Sequence, residues 1–242
     1  DRMDEAIISY LGLCTFVDKL IGDVLDRLEA ISLQNNTNIL FLSDHGENLG
    51  ARGLWGKSVM YEESVGIPMI LAGNSVPKGL IVKTPVSLID VFPSILDVFN
   101  IEETAEKSGE SLFEIAKNKD NKKRLVFSEY HGAGAISGAF MVRDGKYKYI
   151  HYVNFEPEFY DLETDPDELI NLATNEKYSE VLKIYENELF NMIDPNIINN
   201  EALADQAQIV EQYGGVEKVL MRGGLSGTPV PGGKSTRVKS HS

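Results

Sequence analysis

The chain has 242 residues, 43% hydrophobic and 25% charged, which places it among globular proteins with a core to bury and excludes wholesale disorder. Its 23 basic and 37 acidic residues leave a net charge of -14, which argues against nucleic acid or an anionic membrane surface as main partner, since either needs a basic face. One cysteine, Cys14, excludes an intrachain disulfide framework, and no apolar run reaches the roughly 18 residues of a membrane span.

Residues 4 to about 33 are predicted as one amphipathic helix. Ile7, Leu11, Cys14, Val17, Leu20, Ile21, Val24, Leu25 and Leu28 recur at three and four, the spacing of a buried stripe, and Cys14 on that stripe reads as a small core residue. The helical pattern begins at once, so the true N-terminus and any export signal are expected further upstream. The composition suits cytoplasm or periplasm alike. After the polar turn QNNTN, the run Ile39 to Leu42 is predicted as a strand buried on both faces of a parallel sheet. A Gly-rich loop from Ser43 to about Ser58 separates it from a second buried strand, Pro68 to Ala72. Asp90 then reads as the N-cap of a helix through Phe99, with Pro93 in its first turn. The fold class is α/β: part of a mixed, mainly parallel sheet flanked by helices, over residues 1–123.

From Arg124 the texture becomes strand-rich, and residues 124–198 are predicted as a small antiparallel sheet with a packed helix. Asp144-Gly145 between two β-rich runs signals a hairpin with a type I′ turn, which needs positive φ at both central residues. A helix follows at about Lys177 to Met192, with Tyr178, Val181, Leu182, Tyr185, Leu189 and Met192 facing the core. Residues 199–242 read as a helical segment and a Gly/Pro-rich tail. From Lys218 onward there are five basic residues, Lys218, Arg222, Lys234, Arg237 and Lys239, and no acidic one. The tail is either mobile or an arm laid over a second copy in a homo-oligomer.

Chemistry concentrates in Leu42-Ser43-Asp44-His45-Gly46-Glu47-Asn48-Leu49-Gly50-Ala51-Arg52-Gly53-Leu54-Trp55-Gly56-Lys57. Asp44 and His45 fall where a strand ends, a rigid place to hold a reactive group. A carboxylate beside an imidazole offers one hard oxygen and one nitrogen to a metal ion. The interspersed glycines let the backbone approach a ligand closely, and Lys57 supplies a positive charge for an oxyanion. Standing alone, Asp-His-Gly is more often a turn than a metal site, and Lys57 more often a solvated side chain.

The ordered set of motifs is more specific. Ser-Asp-His-Gly-Glu (43–47), Gly-Leu-Trp-Gly-Lys (53–57), Tyr61-Glu62-Glu63-Ser64 and Ile67-Pro68 resemble the sulfatase family of the alkaline phosphatase superfamily. Pro85 to Ser94, Ser128-Glu129-Tyr130-His131-Gly132, and Glu158 to Pro166 with Asn171-Leu172-Ala173 are similar to later segments of that family. The likeness covers roughly residues 5 to 195 and includes choline-sulfatase-like and phosphonate monoester hydrolase-like members. It implies metal-dependent hydrolysis of a small-molecule sulfate ester. Asp44 and His45 would be ligands of one divalent cation, calcium or else manganese or another transition ion. Lys57 would contact a sulfate oxygen. His131 is implied as a contact to the leaving-group oxygen or substrate, against its plain reading as a hydrogen-bonded residue at a strand end.

The departure is equally plain. The Cys-x-Pro-Ser-Arg motif that sulfatases convert to formylglycine does not occur, and Cys14 is followed by Thr-Phe-Val. The nucleophile and the family's early paired aspartates are expected upstream, so this chain alone is not expected to turn over substrate. Two rivals remain: a phosphonate monoester or phosphodiester hydrolase of the same superfamily, and a non-catalytic truncated module.

Overall fold

In the computed structural model, which describes residues 2–74, 76–102, 109–132 and 134–221, helix α1 runs over Arg2–Ala30. The periodicity located the helix but not its environment. Leu11, Val17, Leu20, Val24 and Leu25 are 41–67% exposed, and Cys14 is exposed too. This corrects the reading of a buried stripe: a helix pattern records a face suited to burial, and burial itself needs a second surface.

Strands β1 (Ile39–Leu42) and β2 (Met69–Ala72) pair with each other, antiparallel and not parallel, in the register Leu42↔Met69 to Ile39↔Ala72. The cause lies in the intervening loop. Its far end is held beside its near end, Gly46 N–H donating to the Ser64 carbonyl at 2.7 Å. The chain therefore re-enters the sheet at the end it left, which makes the return strand antiparallel. Burial on both faces is not seen either, because Phe41 and Ile70 sit opposite one another and are 37% and 60% exposed.

Helix α3 (Val91–Val98) keeps Pro93 in its first turn, but Asp90 does not cap it. Ser87 and Asp90 close a capping box around the preceding 3-10 turn, Leu88–Asp90. The Asp90 carboxylate, wholly buried, accepts from both terminal nitrogens of Arg124, at 2.6 and 3.0 Å, and from Glu110 N–H at 2.9 Å. A guanidinium fork matches a carboxylate more strongly than a backbone N–H does, so Asp90 serves the ion pair. The short helix α4 (Leu112–Lys117) buries Leu112, Phe113 and Ile115.

The predicted small sheet is present: β3 (Val126–Tyr130), β4 (Ala139–Arg143), β5 (Tyr147–Tyr152) and β6 (Glu158–Asp161), all antiparallel in that order. The hairpin turn falls at Asp144-Gly145 without a type I′ backbone, because neither residue has positive φ. Instead Asp144 Oδ1 accepts from Lys146 N–H and Tyr147 N–H, at 2.7 and 2.8 Å, so the side chain organises the turn.

Strand parity gives the sheet two buried faces. Phe140, Val142, Tyr149 and Phe159 share the one that meets helix α5 (Ser179–Met192), where Tyr147 and Phe159 stack at 5.3 Å and Tyr185 closes on both. Tyr185 and Leu189 of the expected α5 stripe are buried, whereas Met192 is 46% exposed. The other face carries Ala139, Met141, Ile150 and Tyr160, which cluster with Met60, Tyr61 and Val65.

Residues to Met192 form one compact unit and those from Ile193 a second. In the second, Asp194 caps helix α6 (Pro195–Gln212) by accepting from Asn196 and Ile197 N–H, and α7 covers Val216–Met221. The predicted tail, with the oligomer contact assigned to it, lies outside the described residues from 222 onward.

Candidate active site

The loop after β1 is built around its own ends. Gly46 lies so close to the following segment that a Cβ there would stand 2.0 Å from the Glu63 carbonyl oxygen, so only glycine fits. Glu47 Oε1 accepts from Gly56 N–H at 2.6 Å and from Leu49 N–H at 3.2 Å. The Asn48 backbone and side-chain N–H groups both reach the Gly56 carbonyl, at 2.8 and 2.6 Å. Gly56 takes φ +82°, a conformation that costs a side-chain-bearing residue energy. Glu47 and Asn48 thereby fix the residue immediately before Lys57. Their role was not read from the sequence, although their place in the motif was the available signal.

Asp44 and His45 sit at the carboxyl end of β1. His45 N–H donates to Asp44 Oδ1 at 3.0 Å, and Ser43 Oγ donates to the His45 carbonyl at 2.8 Å. That backbone N–H holds the Asp44 carboxyl below the usual carboxylate range, so it is an anion at neutral pH. His45 Nδ1 lies 2.9 Å from the Gly46 carbonyl and Nε2 lies 3.5 Å from Asp44 Oδ2. A proton on Nδ1, donated to that carbonyl, leaves the Nε2 lone pair on the side of the Asp44 carboxylate. This is how histidine ligands are usually oriented. The side chains are 41% and 82% exposed. The pair therefore fits one part of a cation's shell. Among the described residues no group of three or more His, Cys, Asp or Glu is placed to hold a metal ion.

Asp44, His45 and Lys57 open into one cavity of about 630 Å³. Its other walls include Met60, Glu62, Ser64, Ser128, Glu129, Tyr130, Met141 and Arg143. Most of these come from β3, β4 and the short helix α2 (Glu62–Val65). The structure thus brings three of the four sequence-predicted residues together. His131 is not among the lining residues. It packs edge-on against Phe140, ring centroids 5.1 Å apart, and Phe140 lies on the α5 side of the sheet. Its Nε2 is 3.8 Å from Glu129 Oε2.

A buried ionic network beneath the cavity was missed altogether. Lys148 on β5, with no solvent exposure, contacts Glu62 Oε1 at 2.6 Å, Glu168 Oε1 at 2.7 Å and the Met60 carbonyl at 3.0 Å. Arg143 on β4 adds a 2.6 Å contact to the same Glu62 oxygen, and Glu168 Oε2 accepts from Glu62 N–H at 2.6 Å. Arg52 joins Glu63 and the Asp167 carbonyl while lying 4.1 Å over the Tyr61 ring. Burial raises the Glu62 carboxyl, but Lys148 and Arg143 outweigh it and the net shift is downward. For Glu168 burial wins and the shift is upward. The network ties α2 to the antiparallel sheet. Strand parity was the usable signal, since Lys148 shares its face with Ile150.

Comparison with known proteins agrees with this architecture. The family model described as N-sulphoglucosamine sulphohydrolase, C-terminal, matches residues 50–194. Arylsulfatase K of Mus musculus is 34% identical over 68% of this chain, an alignment that covers 32% of the mouse protein. The chain thus spans about a third of the curated relatives it matches. A solved 2-O GAG sulfatase superposes with TM-score 0.67 at 29% identity, over 73% of this chain and 40% of that one. The phosphonate monoester hydrolase of Agrobacterium radiobacter shares the fold, with TM-score 0.63 at 24% identity over 72% of this chain and 38% of its own.

Proposed function

Because this chain belongs to the sulfatase family, matching the C-terminal part of its members, we propose that it is part of a metal-dependent sulfuric ester hydrolase acting on a sulfated sugar. The observation that carries the reading is the joint opening of Asp44, His45 and Lys57 into one cavity. The sugar assignment is supported by the likeness to the 2-O GAG sulfatase. Members of the family generally use a divalent cation and a formylglycine. Asp44 and His45 would hold the cation, and the His45 nitrogen favours manganese or another transition ion over calcium. Such an ion supplies Lewis-acid polarisation of an ester oxygen. Lys57 places its ammonium toward a sulfate oxygen and offsets charge that grows as the ester bond breaks. Glu62 and Arg143 neutralise one another at the wall, which leaves Lys57 as the cation turned to substrate. We assign His131 no contact with substrate, in keeping with its packing on Phe140.

The test uses the enzyme that carries this chain, assayed with a sulfate monoester of a sugar, a phosphonate monoester and a phosphodiester. Preference for the sulfate ester is expected, together with loss of turnover in Asp44→Ala by at least about 10²-fold, as for removal of an electrostatic stabiliser. Preference for the phosphonate ester would transfer the site to that hydrolase class. Undiminished metal-dependent turnover in Asp44→Ala would remove Asp44 from the site.

A further inference from the structure

We propose that Ser64 is a positioning residue that sets Lys57 against the Asp44–His45 pair, an inference that rests on the functional reading above for what those residues do. Ser64 is 2% exposed, at the third position of the four-residue helix α2. Its backbone carbonyl accepts from Gly46 N–H at 2.7 Å, immediately after His45. Its hydroxyl donates to the carbonyl of Lys57. One buried residue therefore references both limbs of the site, which lie eleven or more residues apart along a loop rich in glycine.

The anchoring of α2 makes this reference rigid. Glu168 accepts from the first N–H of the helix, Lys148 and Arg143 hold the Glu62 carboxylate, and all three come from the antiparallel sheet or the turn beyond it. A loop with several glycines has much conformational freedom to lose, and an internal hydrogen bond to a fixed donor removes it before ligand arrives. The two bonds are also separable. Removing the hydroxyl frees the Lys57 carbonyl, with Gly56 before it still held by Glu47 and Asn48, and leaves the Gly46 bond, which uses the Ser64 backbone, in place. Ser64 thus acts on anion binding through Lys57 while leaving the metal-facing pair alone.

Ser64→Ala and Ser64→Thr, made in the enzyme that carries this chain, are compared with its wild type by three readings. Free manganese(II) measured by electron paramagnetic resonance gives metal affinity. Protection of Lys57 from amine acylation by inorganic sulfate, followed by mass spectrometry, reads the anion site. Amide hydrogen exchange reads the limbs at residues 44–48 and 56–58. For Ser64→Ala we expect manganese affinity within about twofold of wild type and faster exchange within 56–58 at Lys57 and Ser58, the Gly56 N–H staying on Glu47. The sulfate concentration for half-protection should rise about fivefold, the worth of one hydrogen bond. Ser64→Thr, which keeps the hydroxyl, should restore both changed readings. Equal loss of manganese and sulfate binding, or unchanged exchange at 56–58 in a folded Ser64→Ala chain, would overturn the assignment. If sulfate fails to protect Lys57 even in the wild type, it is the anion role of Lys57 that fails. The positioning is then decided by exchange at 56–58 alone.

Discussion

At the scale of single residues, the site depends on positions with no chemistry of their own. Gly46 carries no functional group, yet its missing Cβ allows the loop to approach Glu63 and so fixes the direction of His45. Gly46→Ala should cost about 1–3 kcal/mol, the range for overpacking, because the contact is with backbone and cannot swing aside. Urea titration reads the stability, and manganese binding should weaken with it. A variant of unchanged stability would mean that the loop has slack the close contact does not suggest. Asp144 teaches a related point. A carboxylate that accepts two backbone N–H groups can hold a turn that would otherwise need positive φ.

At the scale of elements, the four-residue α2 is too short to be stable by itself and is held by ions from the sheet. Lys148 is fully buried between Glu62 and Glu168, and breaking such a pair leaves an uncompensated buried charge. Lys148→Met should therefore destabilise the chain by about 3–5 kcal/mol in chemical denaturation. A loss under about 1 kcal/mol would show that water reaches Glu168 at little cost. The network also predicts a pH dependence. Glu62 is held below its ordinary value of 4.5, so its contribution is present at neutral pH and lost as pH falls through the lowered value. Glu168 is raised, so its contribution has the opposite sign, present at low pH and lost as pH rises through the raised value. Asp144 is lowered despite its burial, chiefly because Tyr147 N–H donates to it, and its sign is that of Glu62. Three depressed carboxylates, the solvent-screened Asp44 with Glu62 and Asp144, against one raised predict that stability falls on acidification. Glu62→Gln should flatten that fall as pH drops below the ordinary Glu62 value of 4.5. An identical slope in the variant would exclude Glu62 as a source of acid lability.

At the scale of the whole molecule, much apolar surface is bare. Leu11, Val17, Leu20, Val24 and Leu25 of the α1 stripe, Phe41 and Ile70 between the strands, and Phe92 and Ile95 on α3 are all exposed. Substituting one of them should therefore cost little. Leu11→Lys, at a position 56% exposed, should change stability by no more than about 0.5 kcal/mol, as at an ordinary surface site. A loss of 2 kcal/mol or more in urea titration would show that the stripe is covered in solution. The alignment covers only 32% of the mouse relative, so most of that protein's fold lies outside the matched part. The same apolar periodicity is therefore compatible with burial in a longer fold and exposure in this chain.

What was legible in the sequence was short-range. The α1 helix, the place of the hairpin, the α5 helix and the Asp44–Lys57 run follow from spacing and residue type within about twenty positions, where local geometry decides. The tertiary structure decided what depends on distant partners. It paired β2 with β1 antiparallel, gave Asp90 to Arg124 instead of the helix, turned His131 toward Phe140, and buried Lys148 against Glu62 and Glu168. The hydrogen bonds that hold this last network join residues 81, 88 and 106 positions apart. No periodicity encodes such a pair, because the energy that selects it, ion pairing in a dry interior, exists only after the sheet has closed over α2.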